Sequence, residues 1–252
     1  MFKSICNANR NNENNLYLAI ANVVEKLTLC STELEVDLLL AQLTNLKQTL
    51  VLSFVNAHAI NLCFENHDFV TALESSDYLF RDGVGMEILL TKLNRNPGIN
   101  LVGTDFIPRI VSRCQGKRIA LFGTREPFLE KAKQHLIDRG ATVVSTVHGF
   151  HSAEHYLARA KAIPAEVIVM GMGMPKQESI AQYLKRQLPY NTIIINGGGV
   201  IDVWGGKVKR APLIVRKFRL EWLFRLLIEP RRLLKRYTLG NFMFLQRVAR
   251  IN

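Results

Sequence analysis

Gly171-Met-Gly-Met-Pro-Lys-Gln-Glu178 and Asn196-Gly-Gly-Gly-Val-Ile-Asp202 each follow a short apolar run and lead into a helical pattern. A strand that closes on a glycine turn and re-emerges as a helix is the repeating unit of a parallel sheet. The preceding runs, Val167 to Met170 and Thr192 to Ile195, are the strands, and Pro175 suits a first helical turn. Toward the N-terminus the unit recurs: Lys117 to Phe122 is a strand closed by Gly123, and Glu126 to Asp138 is an amphipathic helix stopped by Gly140. Thr142 to Val147 is a strand and Ser152 to Ala162 a helix. Further back, Leu50 to Val55 is a buried strand ending at Asn56, and Tyr78 to Phe80 a short one ending at Arg81-Asp-Gly83. Helical spacing covers Tyr17 to Leu50, His58 to Glu74 (one or two helices), Met86 to Leu93 and Thr104 to Arg113. Within the first of these, Ser31-Thr-Glu-Leu-Glu35 supplies an N-cap pattern.

The fold class this predicts is α/β, a Rossmann-like parallel sheet with helices on both faces, carrying a basic helical appendage. Residues 1–211 form the core, with a polar, Asn-rich lead-in over 1–15 that frays, and 212–252 form the appendage. In the appendage Ile214, Phe218, Trp222, Arg225 and Glu229 follow helical spacing, Pro230 ends that helix, and Leu233 to Arg250 form another.

Charge is concentrated there. Of the net +12, the stretch from Gly205 onward holds +11, from thirteen Lys and Arg against only Glu221 and Glu229. So localised a charge marks a partner surface. With Trp222, Phe218 and Phe224 interleaved, it suits an anionic membrane. No run reaches the roughly 18–20 apolar residues of a spanning helix, and Met1 to Asn15 lacks the apolar core of a signal peptide. The expected location is cytoplasmic, peripheral to the inner face of the plasma membrane. Cys6, Cys30, Cys63 and Cys114 are too dispersed for a zinc site or a disulfide framework and read as small buried hydrophobes. A calculated pI near 9.8 also raises the alternative of a nucleic-acid-binding α/β protein. That alternative lacks a reading motif and leaves the glycine turns unexplained, so nucleic acid is not the expected partner.

Ligands of open α/β sheets bind at the carboxyl ends of the strands, where Asn56, Asp82, Gly123, Gly171 and Gly197 stand. Gly171-x-Gly173 lacks a third glycine and an acidic ribose partner, so it is no dinucleotide fingerprint but a glycine turn at a helix start, suited to a phosphate or serving only as a tight turn. Gln177 and Glu178, in the first turn of that helix, are placed for sugar hydroxyls or a base edge. Gly197, Gly198 and Gly199 let a backbone approach a ligand closely, and Asp202 follows them. Asp82 is a carboxylate on a turn, suited to act as a base. His151-Ser-Ala-Glu-His155 has the spacing of a zinc peptidase motif, but Ser152 reads as an N-cap and strands His151 in the loop, so no metal is assigned. Glu33, Glu35 and Asp37 read as a solvated helix surface, and no Asp-x-Asp exists to bridge a metal to a diphosphate.

Gly-x-Gly-x-Pro-Lys-Gln-Glu at 171–178, Gly-Gly-Gly-x-x-Asp-x-x-x-Gly-Lys-x-x-Arg-Ala-Pro at 197–212 and Leu-Glu-Trp-Leu-x-Arg-Leu-x-x-Glu-Pro-x-Arg at 220–232 together resemble the WecG/TagA/CpsF glycosyltransferase family. Asn56, Asp82-Gly-Val-Gly85 and Gly103-Thr-Asp105 match upstream, so the resemblance covers roughly residues 50 to 236. It implies an inverting, metal-independent transferase without cofactor, moving a hexosyl or N-acetylhexosaminyl group from a UDP-sugar to a polyprenyl-diphosphate-linked sugar in exopolysaccharide, capsule or cell-wall polymer synthesis. It implies Asp82 as the base, Gln177 as the motif glutamine, and Arg225, Arg231 and Arg232 as arginines closing over the diphosphate. Phe54 and Asn100 depart from the threonine and arginine of wall teichoic acid members, which leaves glucose, N-acetylmannosamine and its uronic acid all open as donor sugars. Monomer and homo-oligomer are both compatible with the chain.

Overall fold

The computed structural model describes residues 20–45, 47–218 and 220–251; the lead-in over 1–15, Cys6 and Arg219 lie outside these, as do the side chains of Leu213, Lys217 and Arg232. A helical segment over 20–25 precedes α1 (Glu33–Thr44). Thr32 caps α1, its hydroxyl accepting from Glu35 N at 3.2 Å, while the Glu35 carboxylate accepts from Ser31 N at 2.7 Å. Then follow β1 (Leu50–Val55), α2 (Ala57–Cys63), α3 (His67–Glu74), β2 (Tyr78–Arg81), α4 (Val84–Lys92) and α5 (Gly103–Arg113). The second half runs β3 (Arg118–Gly123), α6 (Phe128–Ile137), β4 (Thr142–Val147), α7 (Ala153–Ala162), β5 (Val167–Gly171), α8 (Lys176–Gln187), β6 (Ile193–Asn196) and α9 (Val200–Trp204).

All six strands are parallel, in the order β2-β1-β6-β5-β3-β4. The α/β fold read from the strand–helix alternation is the one observed. Period-2 side chains explain why it is covered on both faces. Leu50, Leu52, Val167, Val169, Ile193 and Ile195 enter one buried cluster, with α1, α5 and α6. The alternate residues Val51, Ile168, Met170 and Ile194 enter another, with α7 and α8. The chain goes outward from β1 to β2 at one edge and from β3 to β4 at the other, then fills the centre with β5 and β6. Opposite-going connections open a crevice at the strand carboxyl ends.

Beyond Pro212 come α10 (Leu213–Lys217), α11 (Glu221–Ile228), α12 (Pro230–Lys235), a π-helical turn over Arg236–Gly240, and α13 (Asn241–Ala249). The expectation that Pro230 closes one helix, with the next opening at Leu233, is corrected. α11 has already ended at Ile228, and Pro230 is the first residue of α12, where its missing N–H removes no helical bond. The segment is anchored at its far end. Phe244, Val248 and Ile251 are buried with Ala59, Ile60, Met86 and Leu90 of α2 and α4. Asn61 donates to Gly240 O at 2.6 Å and accepts from Arg247 at 2.6 Å. By contrast α11 has no buried residue. The sheet and the last helix are therefore the fixed parts, and α10 to α12 bridge over the crevice between them.

Candidate active site

The crevice is a pocket of about 880 Å³ walled by the carboxyl ends of β1, β2, β5 and β6 and by the bridging segment. Its glycines earn their place by close approach. A Cβ at Gly171 would lie 3.0 Å from Gly198 O, so the two glycine turns pack backbone to backbone. Gly173 and Gly198 also have positive φ (84° and 54°). Gly199 faces the Arg225 guanidinium, 3.1 Å from where its Cβ would stand.

The first-turn pair of α8 does something other than expected. Gln177 and Glu178 are 1% and 0% exposed. Gln177 Oε1 accepts from Gly173 N at 3.1 Å and from Gly198 N at 3.2 Å, and its amide donates to Glu178 Oε1 at 2.8 Å. Gln177 thus ties both glycine turns together, reaching the pocket wall as it does so. Glu178 lies behind it, and burial pushes its carboxyl up to about 7. Two other nominated residues are also outside the pocket lining. Gly123 is required by sheet packing, since a Cβ would meet the Gly171 backbone at 2.5 Å, and Pro175 immediately precedes α8.

Four carboxylates line the pocket: Asp82, Asp105, Asp202 and Glu221. Three are already paired. Asp105 meets Arg210 and Arg216, Glu221 meets Arg210 at 3.0 Å, and Asp202 meets Lys207 at 2.9 Å and accepts from the Thr124 hydroxyl. Among the described residues no hydrogen bond or ion pair holds the Asp82 side chain. Its backbone N–H donates to Val55 O at 2.8 Å, continuing the β1–β2 ladder, and the next residue, Gly83, turns with φ 90°. Desolvation pushes its carboxyl up to about 6, the Glu221 charge adding to this and Arg225, Arg236 and Arg210 opposing it. Asp82 is therefore the carboxylate free to take a proton. His58, also in the lining, is held down at about 4 by burial and by Arg236, so it stays neutral near pH 7.

Asn56 lines the pocket, but its Oδ1 caps α2, accepting from Ala59 N at 3.1 Å. Arg225 reaches the pocket from α11; Arg231 is exposed on α12 and does not, and the Arg232 side chain lies outside the described residues. Arg236, Lys207, Thr124, Phe150 and Trp222 line the pocket without having been singled out as its ligands. A signal for Arg236 exists: it stands eleven positions after Arg225, close to three helical turns, but Pro230 interrupts that register.

Asn100 accepts from Gly83 N at 3.0 Å and so braces the turn that carries Asp82. Asn100→Ala is expected to lower turnover roughly 3- to 10-fold, the worth of one lost hydrogen bond. Asn100→Asp keeps the acceptor but sets a second charge beside Asp82, and is expected to move the acidic limb of the pH–rate profile upward. Identical profiles for the two variants would remove the bracing role.

One unpaired carboxylate and two glycine turns thus line a single crevice beneath a basic bridge. The chain belongs to the glycosyl transferase WecG/TagA/CpsF family, whose sequence model matches residues 22–252. Two curated relatives, from Staphylococcus aureus strains NCTC 8325 / PS 47 and COL, are each 26% identical over 197 residues, covering 75% of this chain and 76% of the relative. Both are named N-acetylglucosaminyldiphosphoundecaprenol N-acetyl-beta-D-mannosaminyltransferase.

Proposed function

We propose that the protein moves a hexosyl or N-acetylhexosaminyl group from a UDP-sugar to a sugar carried on a polyprenyl diphosphate, with inversion, during synthesis of a cell-envelope polysaccharide. The observation that carries this is the unpaired Asp82 lining one pocket with the joined glycine turns. Asp82 takes the proton of the acceptor hydroxyl as that oxygen attacks the anomeric carbon, and the bond to UDP breaks on the opposite side. The leaving diphosphate gains charge as it departs. The guanidiniums of Arg225 and Arg236 line the pocket beside the glycine turns and meet that charge, the Gly173, Gly197 and Gly198 N–H groups being already bonded to Gln177 Oε1 and Met170 O, so the reading requires no metal ion. Phe150, 71% exposed in the loop after β4, offers a face for stacking the base beside Thr124, Asp202 and Lys207.

The lipid-linked acceptor also accounts for the surface of the bridging segment. Among the described residues seventeen large hydrophobics are exposed, and twelve of them lie between Ile214 and Leu245, with Ile214, Phe218 and Leu227 each at least 70% exposed. An apolar patch interleaved with Arg and Lys suits peripheral attachment to an anionic bilayer. Among the described residues no helix is long and apolar enough to cross a membrane.

The test is UDP release from a panel of UDP-sugars in EDTA, with a polyprenyl-diphosphate-linked N-acetylglucosamine acceptor presented in neutral or in anionic vesicles. Acceptor-dependent release from one donor, faster on anionic vesicles and slowed by Phe218→Ser with Leu227→Ser, is expected. Release that requires added Mg²⁺ would overturn the metal-free reading, and indifference to vesicle charge would overturn the attachment. No release from any donor with this acceptor would count against the proposed pairing of substrates.

A further inference from the structure

The His151-x-x-x-His155 motif finds no use in the transfer reaction, and the structure adds a third histidine to it. His148 follows β4 directly, His151 sits in the same loop and His155 in the first turn of α7. Their rings form one near-parallel column, with centroids 4.0 Å apart for 148 and 151 (21° between planes) and 3.7 Å apart for 151 and 155 (9°). Stacking sets the ring nitrogens along the rim of the column instead of converging on one point. Among the described residues no group of three His, Cys, Asp or Glu is arranged to hold a metal ion.

The column forms one wall of a second cavity, of about 370 Å³, whose other polar lining includes Arg159 and Glu126. Arg159 is pre-oriented there, because its Nε donates to the buried Ser145 hydroxyl at 2.9 Å. The loop is held from both sides. Tyr156 OH donates to His148 O at 2.8 Å and accepts from His151 N at 3.2 Å, and Lys176 Nζ donates to Gly149 O at 3.0 Å. The charged groups around the column are thus Arg159, Lys176, Glu126 and the exposed Glu154. Glu126 is engaged by its own helix, accepting from Glu130 N at 3.1 Å.

We propose that this cavity is a binding site for a phosphate-type anion, distinct from the reaction pocket and separated from it by the 148–151 loop. An imidazole presents an N–H in either protonation state, and a fixed guanidinium presents a fork, which together suit a ligand with several oxygens around one centre. Burial, and then the nearness of His148, His155 and Lys176, hold the His151 imidazole below its ordinary range. Anion binding reverses that balance by favouring one imidazolium. The consequence reaches the active site through the same loop. Its inner face, Gly149 and Phe150, lines the reaction pocket, and Gly149 N donates to Thr124 O at 2.8 Å, next to the Thr124–Asp202 bond.

The experiment follows the histidine ring resonances of the full chain by NMR through a pH titration at constant ionic strength. Chloride is compared with inorganic phosphate, methyl phosphate, and phosphatidylglycerol vesicles. The midpoints of His151 and His155 are expected to rise by on the order of one pH unit in a phosphate-bearing medium, while those of His58, His67 and His135 stay in place. Arg159→Gln should cancel the rise. A rise with free phosphate assigns a soluble ligand, and a rise only with vesicles assigns a lipid headgroup. Midpoints indifferent to all three, or an equal rise at all six histidines, overturn the site without touching the transferase reading.

Discussion

Asp82→Asn is expected to lower turnover by about 10²- to 10⁴-fold, the ordinary worth of a general base, while donor binding stays near that of the parent. The amide keeps the shape of the carboxyl and the ladder bond from Asp82 N, so what is lost is the proton acceptor. The parent enzyme should show kcat/KM falling with unit slope below pH about 6, where Asp82 takes up its own proton. Two neighbours must be separated from it. His58 titrates near 4, too low to set the limb, and Glu178 near 7 but behind Gln177. Glu178→Gln should therefore leave the limb in place, whereas Asp82→Asn removes it along with most of the rate. Normal turnover in Asp82→Asn would end the assignment.

The sign of the linked stability effect is opposite to that of activity. The folded carboxyl of Asp82 sits near 6, above its ordinary 3.8. The native state then binds the proton more tightly than the unfolded chain does, and at neutral pH the ionised form works against folding. That cost is relieved as pH falls through 6. Asp82→Asn should accordingly unfold at the same or a higher temperature than the parent at pH 7, which scanning calorimetry can read. A large drop in Tm would show instead that the carboxylate stabilises its turn, and the loss of activity would then need no catalytic explanation.

The parts of this molecule legible in the sequence are those fixed by local chemistry. Short apolar runs marked the six strands, and glycine at the strand ends located the crevice, where the backbones of Gly171 and Gly198 approach closely. What pattern alone misses is direction. Gln177 and Glu178 occupy a helix first turn in sequence, yet whether such side chains face solvent or fold back depends on which strand lies beside them. Here β6 brings Gly198 N within reach of Gln177, and the pair is buried. The same limit applies to the arginines. Arg225, Arg231 and Arg232 are equally conspicuous in the chain, but the break at Glu229 and Pro230 rotates α12 relative to α11. Arg231 is exposed, and Arg236, arriving on a π turn that no propensity signals, lines the pocket. Likewise, three histidines scattered over eight residues become a column only through the fold of one loop.

Arg225→Ala is expected to lower kcat by about 10²- to 10³-fold, comparable to removing one donor from a preorganised anion hole. The guanidinium lies against the Gly199 turn and its charge acts on Asp82, so in the proposed mechanism one side chain serves both ends of the displacement. This gives the variant a second signature. Arg225 holds the Asp82 carboxyl down, so its removal should carry the acidic limb above pH 6. Glu221→Gln removes a charge that pushes the same carboxyl up, and should carry the limb the other way. Arg225→Lys retains the positive charge but not the fork, and is expected to leave the limb near its place while recovering only part of the rate. A role confined to closing α11 over the pocket predicts something different, namely a raised KM with an unmoved limb, and similar values for Ala and Lys. Truncation at Pro212 cannot make this distinction, because it also strips Phe244, Val248 and Ile251 from the core on α2 and α4. Point variants on the bridge leave that anchor intact, so they separate the electrostatic work of Arg225 from the structural work of the helices that carry it.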